Sequence, residues 1–244
     1  MKNYSFLFVL IFCTINSFGQ AKNYPLEITH LKDAFYVYVS YGTYNSERYP
    51  ANAMYLVTHK GVILFDTPWD EQYYQPLLDS IWKKHHQKVI MCISTHFHKD
   101  RTGGLKYYRS KGIKTYTTKK TDSLAIIHHD NRGPFLLNDD TTFNVGGYTF
   151  QIYYAGPGHT IDNVEVLFPR EKILYGGCFI KSVEDKNLGN LDDADVKEWG
   201  NSIKNLQEKF PDPEYVIPGH NNWKNKNSLQ HTLHMVQDYN TVHE

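Results

Sequence analysis

His96-Phe97-His98-Lys99-Asp100 follows directly on the apolar run Val89-Ile90-Met91-Cys92-Ile93. A strand that ends in two imidazoles and a carboxylate at alternate positions constrains everything around it. Open α/β sheets carry their chemistry at the carboxyl ends of strands, and these three side chains are metal ligands by type. The rest of the chain must therefore bring further donors to that strand end.

The flanking pattern supplies the sheets for it. Phe35-Tyr36-Val37-Tyr38-Val39, Met54-Tyr55-Leu56-Val57 and Val62-Ile63-Leu64-Phe65 are β-branched and aromatic runs, the last two joined across His59-Lys60-Gly61. They predict antiparallel strands at the start of the folded chain. The period then changes: Tyr74, Leu77, Leu78, Ile81 and Trp82 form the stripe of an amphipathic helix, with Ile81 and Trp82 directed at the core. After the strand ending at Ser94 and the His/Asp loop come a short helix over Gly104 to Ser110, a strand over Lys114 to Thr117 and a helix over Thr121 to His129.

The second half repeats the order. Strands are expected at Phe143 to Val145 and Tyr148 to Tyr154 across Gly146-Gly147, then at Val164 to Phe168 and Ile173 to Tyr175. A helix follows with Val196, Trp199, Ile203, Leu206 and Phe210 on one stripe, ended by Pro211. A last strand, Tyr215-Val216-Ile217, precedes a C-terminal helix carrying Leu229, Leu233 and Val236. Two similar halves of strands then helices imply an α/β (α+β) fold, with two sheets face to face and helices outside, a four-layer αββα sandwich. No proline-rich or low-complexity linker divides them, so residues 20–244 are expected to form a single domain.

The first nineteen residues read as a secretory signal: Lys2, an apolar stretch from Phe6 to Ile15, and small residues at Ser17 and Gly19 before Gln20. That stretch is shorter than the ~20 residues a membrane-spanning helix needs. A lipid anchor on Cys13 is disfavoured because Leu10-Ile11-Phe12 lacks the small residues that precede such a cysteine. Export to the periplasm without a membrane anchor is the expectation. The whole chain balances 26 basic against 26 acidic residues, and loss of Lys2 leaves one acid in excess, so nucleic acid is not an expected partner. Cys92 and Cys178 remain after cleavage, and in an oxidising compartment two cysteines can pair.

Further donors stand at strand ends or tight glycine turns: His159 in Gly156-Pro157-Gly158-His159-Thr160, Cys178 in Gly176-Gly177-Cys178, and His220 in Pro218-Gly219-His220. Glycine beside a ligand lets the backbone turn sharply and approach an ion closely. Four imidazoles, one thiol and one carboxylate suit Zn²⁺ better than Ca²⁺ or Mg²⁺. His85-His86, His128-His129, His231 and His234 have no such context and read as surface or core-edge residues.

His96-x-His98-x-Asp100-Arg101, Gly158-His159, Gly177-Cys178 and Gly219-His220 together resemble the metallo-beta-lactamase superfamily over essentially the whole exported chain, and within it the dizinc class B beta-lactamases. The resemblance implies two zinc ions, the first held by His96, His98 and His159, the second by Asp100, Cys178 and His220. Arg101 and Cys178 point to the subclass with an Asp-Cys-His second site, and His96 in place of asparagine argues against the mono-zinc subclass. Lys181, three positions after the cysteine, is implied as the substrate-carboxylate ligand. Asn190, in Leu188-Gly189-Asn190, is implied beside the oxyanion, and Asp66 as a buried support. The resemblance also implies Asp100 chiefly as ligand and hydroxide orienter, and a mobile flap at roughly Tyr41 to Tyr49.

The implied reaction is hydrolysis of the amide bond of penicillins, cephalosporins and carbapenems by a monomeric periplasmic enzyme, conferring antibiotic resistance. The attacking group is a metal-bound hydroxide, since zinc lowers the pKa of water to ~7. Alternatives are a lactone or thioester hydrolase of the same fold, and a non-enzymatic zinc-binding protein. Ser80-Ile81-Trp82-Lys83 matches the Ser-x-x-Lys pattern of serine enzymes, but it lies in the amphipathic helix and has no Ser-Asp-Asn or Lys-Thr-Gly partner.

Overall fold

A computed structural model describes residues 24–243; the signal expected over residues 1–19 lies outside them. Seven strands form the first sheet in sequence order: β1 (Glu27–Lys32), β2 (Phe35–Tyr44), β3 (Glu47–Thr58), β4 (Gly61–Phe65), β5 (Val89–Ile93), β6 (Lys114–Thr118) and β7 (Phe135–Leu137). β1 to β4 are antiparallel, and β4 to β7 run parallel. The second sheet has five strands: β8 (Thr141–Val145), β9 (Tyr148–Tyr153), β10 (Glu165–Phe168), β11 (Ile173–Gly177) and β12 (Tyr215–Pro218).

Side-chain alternation builds the layers. On β3, Met54 and Leu56 pack with Phe65, Phe150 and Phe168 between the sheets, whereas Ala53 and Tyr55 face the opposite way. That outer face of the first sheet is covered by α1 (Tyr74–His85), through Leu77 and Ile81, and by α3 (Leu105–Ser110), through Leu105 and Tyr108. The outer face of the second sheet carries Leu167, Leu174 and Val216 under α5 (Val196–Lys209) and α6 (Ser228–His243). Trp199 and Ile203 of α5 and Leu233 and Val236 of α6 fill that layer. The result is the αββα order that the alternation of strands and helices implies.

Trp82 departs from the expectation: it is 51% exposed, with its ring edge toward His86. At about 100° per residue it lies some 80° around the helix from Tyr74, on the margin of the stripe. β1 and β7 have no counterpart in the sequence reading. Asp100 and Arg101, expected in a loop, belong to a one-turn helix, α2 (Lys99–Thr102). The remaining helix, α4 (Lys119–Ile127), is capped at its start by the Thr118 hydroxyl, which accepts from the Thr121 amide.

β2 and β3 continue past their neighbours as a hairpin. β1 pairs with β2 only as far as Val39 and β4 with β3 only from Met54, and Ala51 bridges to His220, so Tyr41 to Pro50 form a two-stranded overhang. Asn45 and Ser46 at its tip both have positive φ, as the tightest two-residue hairpin turn requires.

Candidate metal centre

The six donors come together at one edge of the sandwich. His96 and His98 follow β5, Asp100 sits on α2, His159 follows β9, and Cys178 and His220 stand at the ends of β11 and β12. His98, Asp100, His159 and His220 line, with Trp69, Lys181 and Asn190, a cleft of about 650 Å³, and His96 and Cys178 lie buried beside them.

The rings of His96, His98 and His159 form a triangle with centroids 4.8 to 5.0 Å apart. His98 Nδ1 faces His159 Nε2 at 3.2 Å, and neither nitrogen of the fully buried His96 meets any protein partner among the described residues. His159 Nδ1 is likewise unpartnered. Buried polar atoms without partners carry a free-energy penalty that proteins ordinarily avoid, so three convergent imidazoles, one of them wholly unpartnered, fit an ion between them. Burial, together with neighbouring cationic groups, holds both His96 and His159 well below the usual imidazole range, in the neutral form that binds a metal.

The second trio is as tight. Cys178 Sγ lies 3.1 Å from His220 Nε2 and 3.4 Å from Asp100 Oδ2, and His220 Nε2 lies 3.3 Å from Asp100 Oδ2. Ligands at bond lengths of about 2.0 to 2.3 Å in a tetrahedral shell stand roughly 3.3 to 3.7 Å apart, close to these separations. His96 also comes within ligating distance of Asp100 and Cys178, so the two trios adjoin. Burial opposes charge on Asp100, but Arg101 and His220 outweigh it and hold the carboxyl well below its ordinary range. Burial likewise opposes a charged His220; the Cys178 sulfur and Asp100 outweigh it and push the imidazole up to about 9. A proton and a metal ion thus contest the same Nε2.

Four of the donors are held by partners outside the two trios. His98 Nε2 bonds Asp193 Oδ2 at 3.0 Å, which turns Nδ1 toward the other imidazoles. His220 Nδ1 donates to the Pro50 carbonyl at 2.7 Å, leaving Nε2 for the second trio. Arg101 is fully buried; its guanidinium reaches Cys178 Sγ and Asp100 Oδ2 at 3.0 Å, the Gly219 carbonyl at 2.8 Å and the Asn52 carbonyl at 2.7 Å. Asp66, at positive φ, accepts from the Thr95 amide at 2.7 Å and from the Tyr175 hydroxyl, tying the residue before His96 to β11. Burial pushes its carboxyl up to about 6 against the pull of Arg101, Tyr175 and Thr95.

The other expected residues surround the cleft. Lys181 is 7% exposed, its Nζ lies 5.4 Å from the Trp199 ring centre, and burial lowers its ammonium below the ordinary lysine range. Asn190 spends its side-chain oxygen on the Asp192 amide, which leaves its NH₂ free to donate into the cleft. Cys92 and Cys178 are both free; Cys92 is buried beneath the Asp66 carbonyl. Ser80 and Lys83 lie on α1, outside the cleft.

A two-sheet sandwich with paired donor trios at one edge defines a metal-dependent hydrolase architecture, and residues 47–220 match the family model of the metallo-beta-lactamase superfamily. The chain belongs to that superfamily and stands within it beside the class B beta-lactamases, a zinc-using group. It is 47% identical over 225 residues to the metallo-beta-lactamase type 2 of Elizabethkingia meningoseptica, covering 92% of this chain and 90% of the relative. Identity to the metallo-beta-lactamase IND-1 of Chryseobacterium indologenes is 37%, over 96% of this chain and 98% of that one. The structure of a metallo-beta-lactamase from Pontibacter korlensis superimposes with a TM-score of 0.84 at 36% identity, over 88% of this chain and all of the other.

Proposed function

We propose that this chain is a zinc beta-lactamase that hydrolyses the amide bond of penicillins, cephalosporins and carbapenems, working as a monomeric single domain exported to the periplasm. The reading is carried by two adjoining donor trios in one open cleft, flanked by a buried ammonium and a free amide NH₂. His96, His98 and His159 would hold one zinc ion, and Asp100, Cys178 and His220 another. Bound there, zinc supplies Lewis acidity and makes water nucleophilic at neutral pH.

The chain's own residues do the rest. Lys181, with no ion-pair partner among the described residues, offers its ammonium to the carboxylate that these substrates carry. Asn190 Nδ2 donates to the lactam carbonyl oxygen as it gains charge, an interaction stronger in the transition state than in the ground state. Asp100, kept ionised by Arg101, orients the attacking water rather than serving as a free base. Export is supported by the leader-like N-terminal sequence; among the described residues no helix is long and apolar enough to cross a membrane.

Metal analysis of the exported form paired with carbapenem and nitrocefin hydrolysis tests the proposal. About two zinc ions per chain and chelator-sensitive turnover are expected. A fully zinc-loaded protein that cleaves a homoserine lactone or a thioester but no lactam, or that cleaves nothing, would overturn it.

A further inference from the structure

The overhanging hairpin of β2 and β3 presents Tyr44, Asn45 and Tyr49 to the cleft, the two tyrosine rings edge to face at 6.3 Å. A two-stranded ribbon without flanking strands is marginal in water, so something outside the sheet has to hold these side chains in one pose. One side chain both braces the hairpin internally and ties it to a neighbouring segment. Arg48 Nη1 donates to Asp70 Oδ2 at 2.5 Å and to Thr43 Oγ1 at 3.0 Å, and Nη2 donates to the Tyr41 carbonyl at 2.8 Å. Its guanidinium also lies 5.6 Å from the centre of the Tyr24 ring.

Asp70 belongs to the connection between β4 and α1, and its neighbour Trp69 packs flat against Gly42, where any Cβ would fall inside the indole. Trp69 in turn meets the His220 ring edge-on at 5.7 Å. The ion pair thus fastens the hairpin to the segment that walls the metal cleft. A lone exposed ion pair holds little, but this arginine side chain is only 23% exposed, and its guanidinium satisfies three acceptors on two segments at once.

We infer that Arg48, through Asp70, is a positioning residue that clamps the hairpin over the cleft and so sets how tightly lactams with aromatic acyl groups are held. The inference rests on the hydrolytic reading above for its substrate class. Losing the clamp lowers the fraction of molecules whose tyrosines are in place, and apparent affinity falls by that fraction, while the bond-breaking groups stay where they are.

The test compares zinc-loaded parent with Arg48→Ala, Asp70→Ala and the double variant. Amide hydrogen exchange over residues 41–49 should accelerate in all three variants at equal zinc content. KM for nitrocefin and penicillin G should rise by about fivefold or more, with kcat within about twofold of parent. The double variant should cost no more than Arg48→Ala alone, because the two residues act as one unit. Arg48→Lys should recover part of the loss. Unchanged exchange, an unchanged KM, a fallen kcat at constant KM, or additive effects of the two substitutions would overturn the clamp. Parent turnover is the separate control: a parent inactive on every lactam refutes the hydrolytic reading, and hydrogen exchange still decides whether the ion pair holds the hairpin.

Discussion

At the scale of residues, the chemistry lies in where a few nitrogens and oxygens point. Asp193 is the clearest case, since among the described residues its side chain bonds only His98. Asp193→Ala should free the imidazole to rotate and weaken zinc at the three-histidine trio by about 10- to 100-fold, measured by competition with a chromophoric chelator. Unchanged affinity would show that packing alone orients the ring. Lys181→Ala should raise KM for carboxylate-bearing lactams and leave kcat nearly intact, because the contact precedes the transition state; steady-state kinetics showing the reverse split would place Lys181 in the bond-breaking step. The donors themselves were legible in the sequence because each stands beside a strand end or a glycine turn. Of the groups that support them, Arg101 and Asp66 were legible too, but two were not: Asp193 lies 95 residues from His98, and Pro50 lies 170 from His220, and nothing in the local pattern at either position marks it.

At the scale of elements, periodicity reveals a strand when it is long or buried on one face, and fails when neither holds. β2 to β6 and β8 to β12 announce themselves through β-branched, aromatic and apolar runs, whereas Glu27–Lys32 has no buried residue and Phe35 onward supplies the buried partner. Three-residue β7 is too short to show alternation. Apolar strands can also conceal charge. Glu165 of β10 is fully buried, its carboxylate accepting only long bonds from the Ala155 amide and Asn163, and burial pushes its pKa well above the ordinary 4.5 despite them. A carboxyl whose folded-state pKa is raised binds more protons folded than unfolded. Its stabilising share is therefore present at low pH and lost as pH rises from near 4.5 through the folded value. Glu165→Gln should flatten the fall of Tm with pH above about pH 5 and raise Tm at the upper end, as followed by thermal melts. A parent curve rising over that range would show that Glu165 stays ionised without penalty.

At the scale of the whole molecule, the metal edge is where both sheets meet. β5 and α2 of the first sheet's half supply His96, His98 and Asp100, and the loops of the second supply His159, Cys178 and His220. An ion bound there crosslinks the halves. Zinc at a hundredfold excess over its dissociation constant adds about 2.7 kcal/mol to folding, so a chelator should lower Tm by about 5 to 10 °C. Calorimetry with and without chelator reads this directly, and equal transitions would mean that the trios hold no ion in the folded state.

The Pro50 carbonyl gives the hairpin a limit of its own. Substitutions or insertions between Thr43 and Glu47 alter only what hangs over the opening, so that stretch is free to diversify as new antibiotics are met. Two residues beyond Pro50, Asn52 donates to the Pro218 and Gly219 carbonyls and takes Arg101 on its own, while Pro50 holds the His220 ring. A slip of a single position there would swing the imidazole out of the second trio, so drift in drug spectrum should stop short of Pro50.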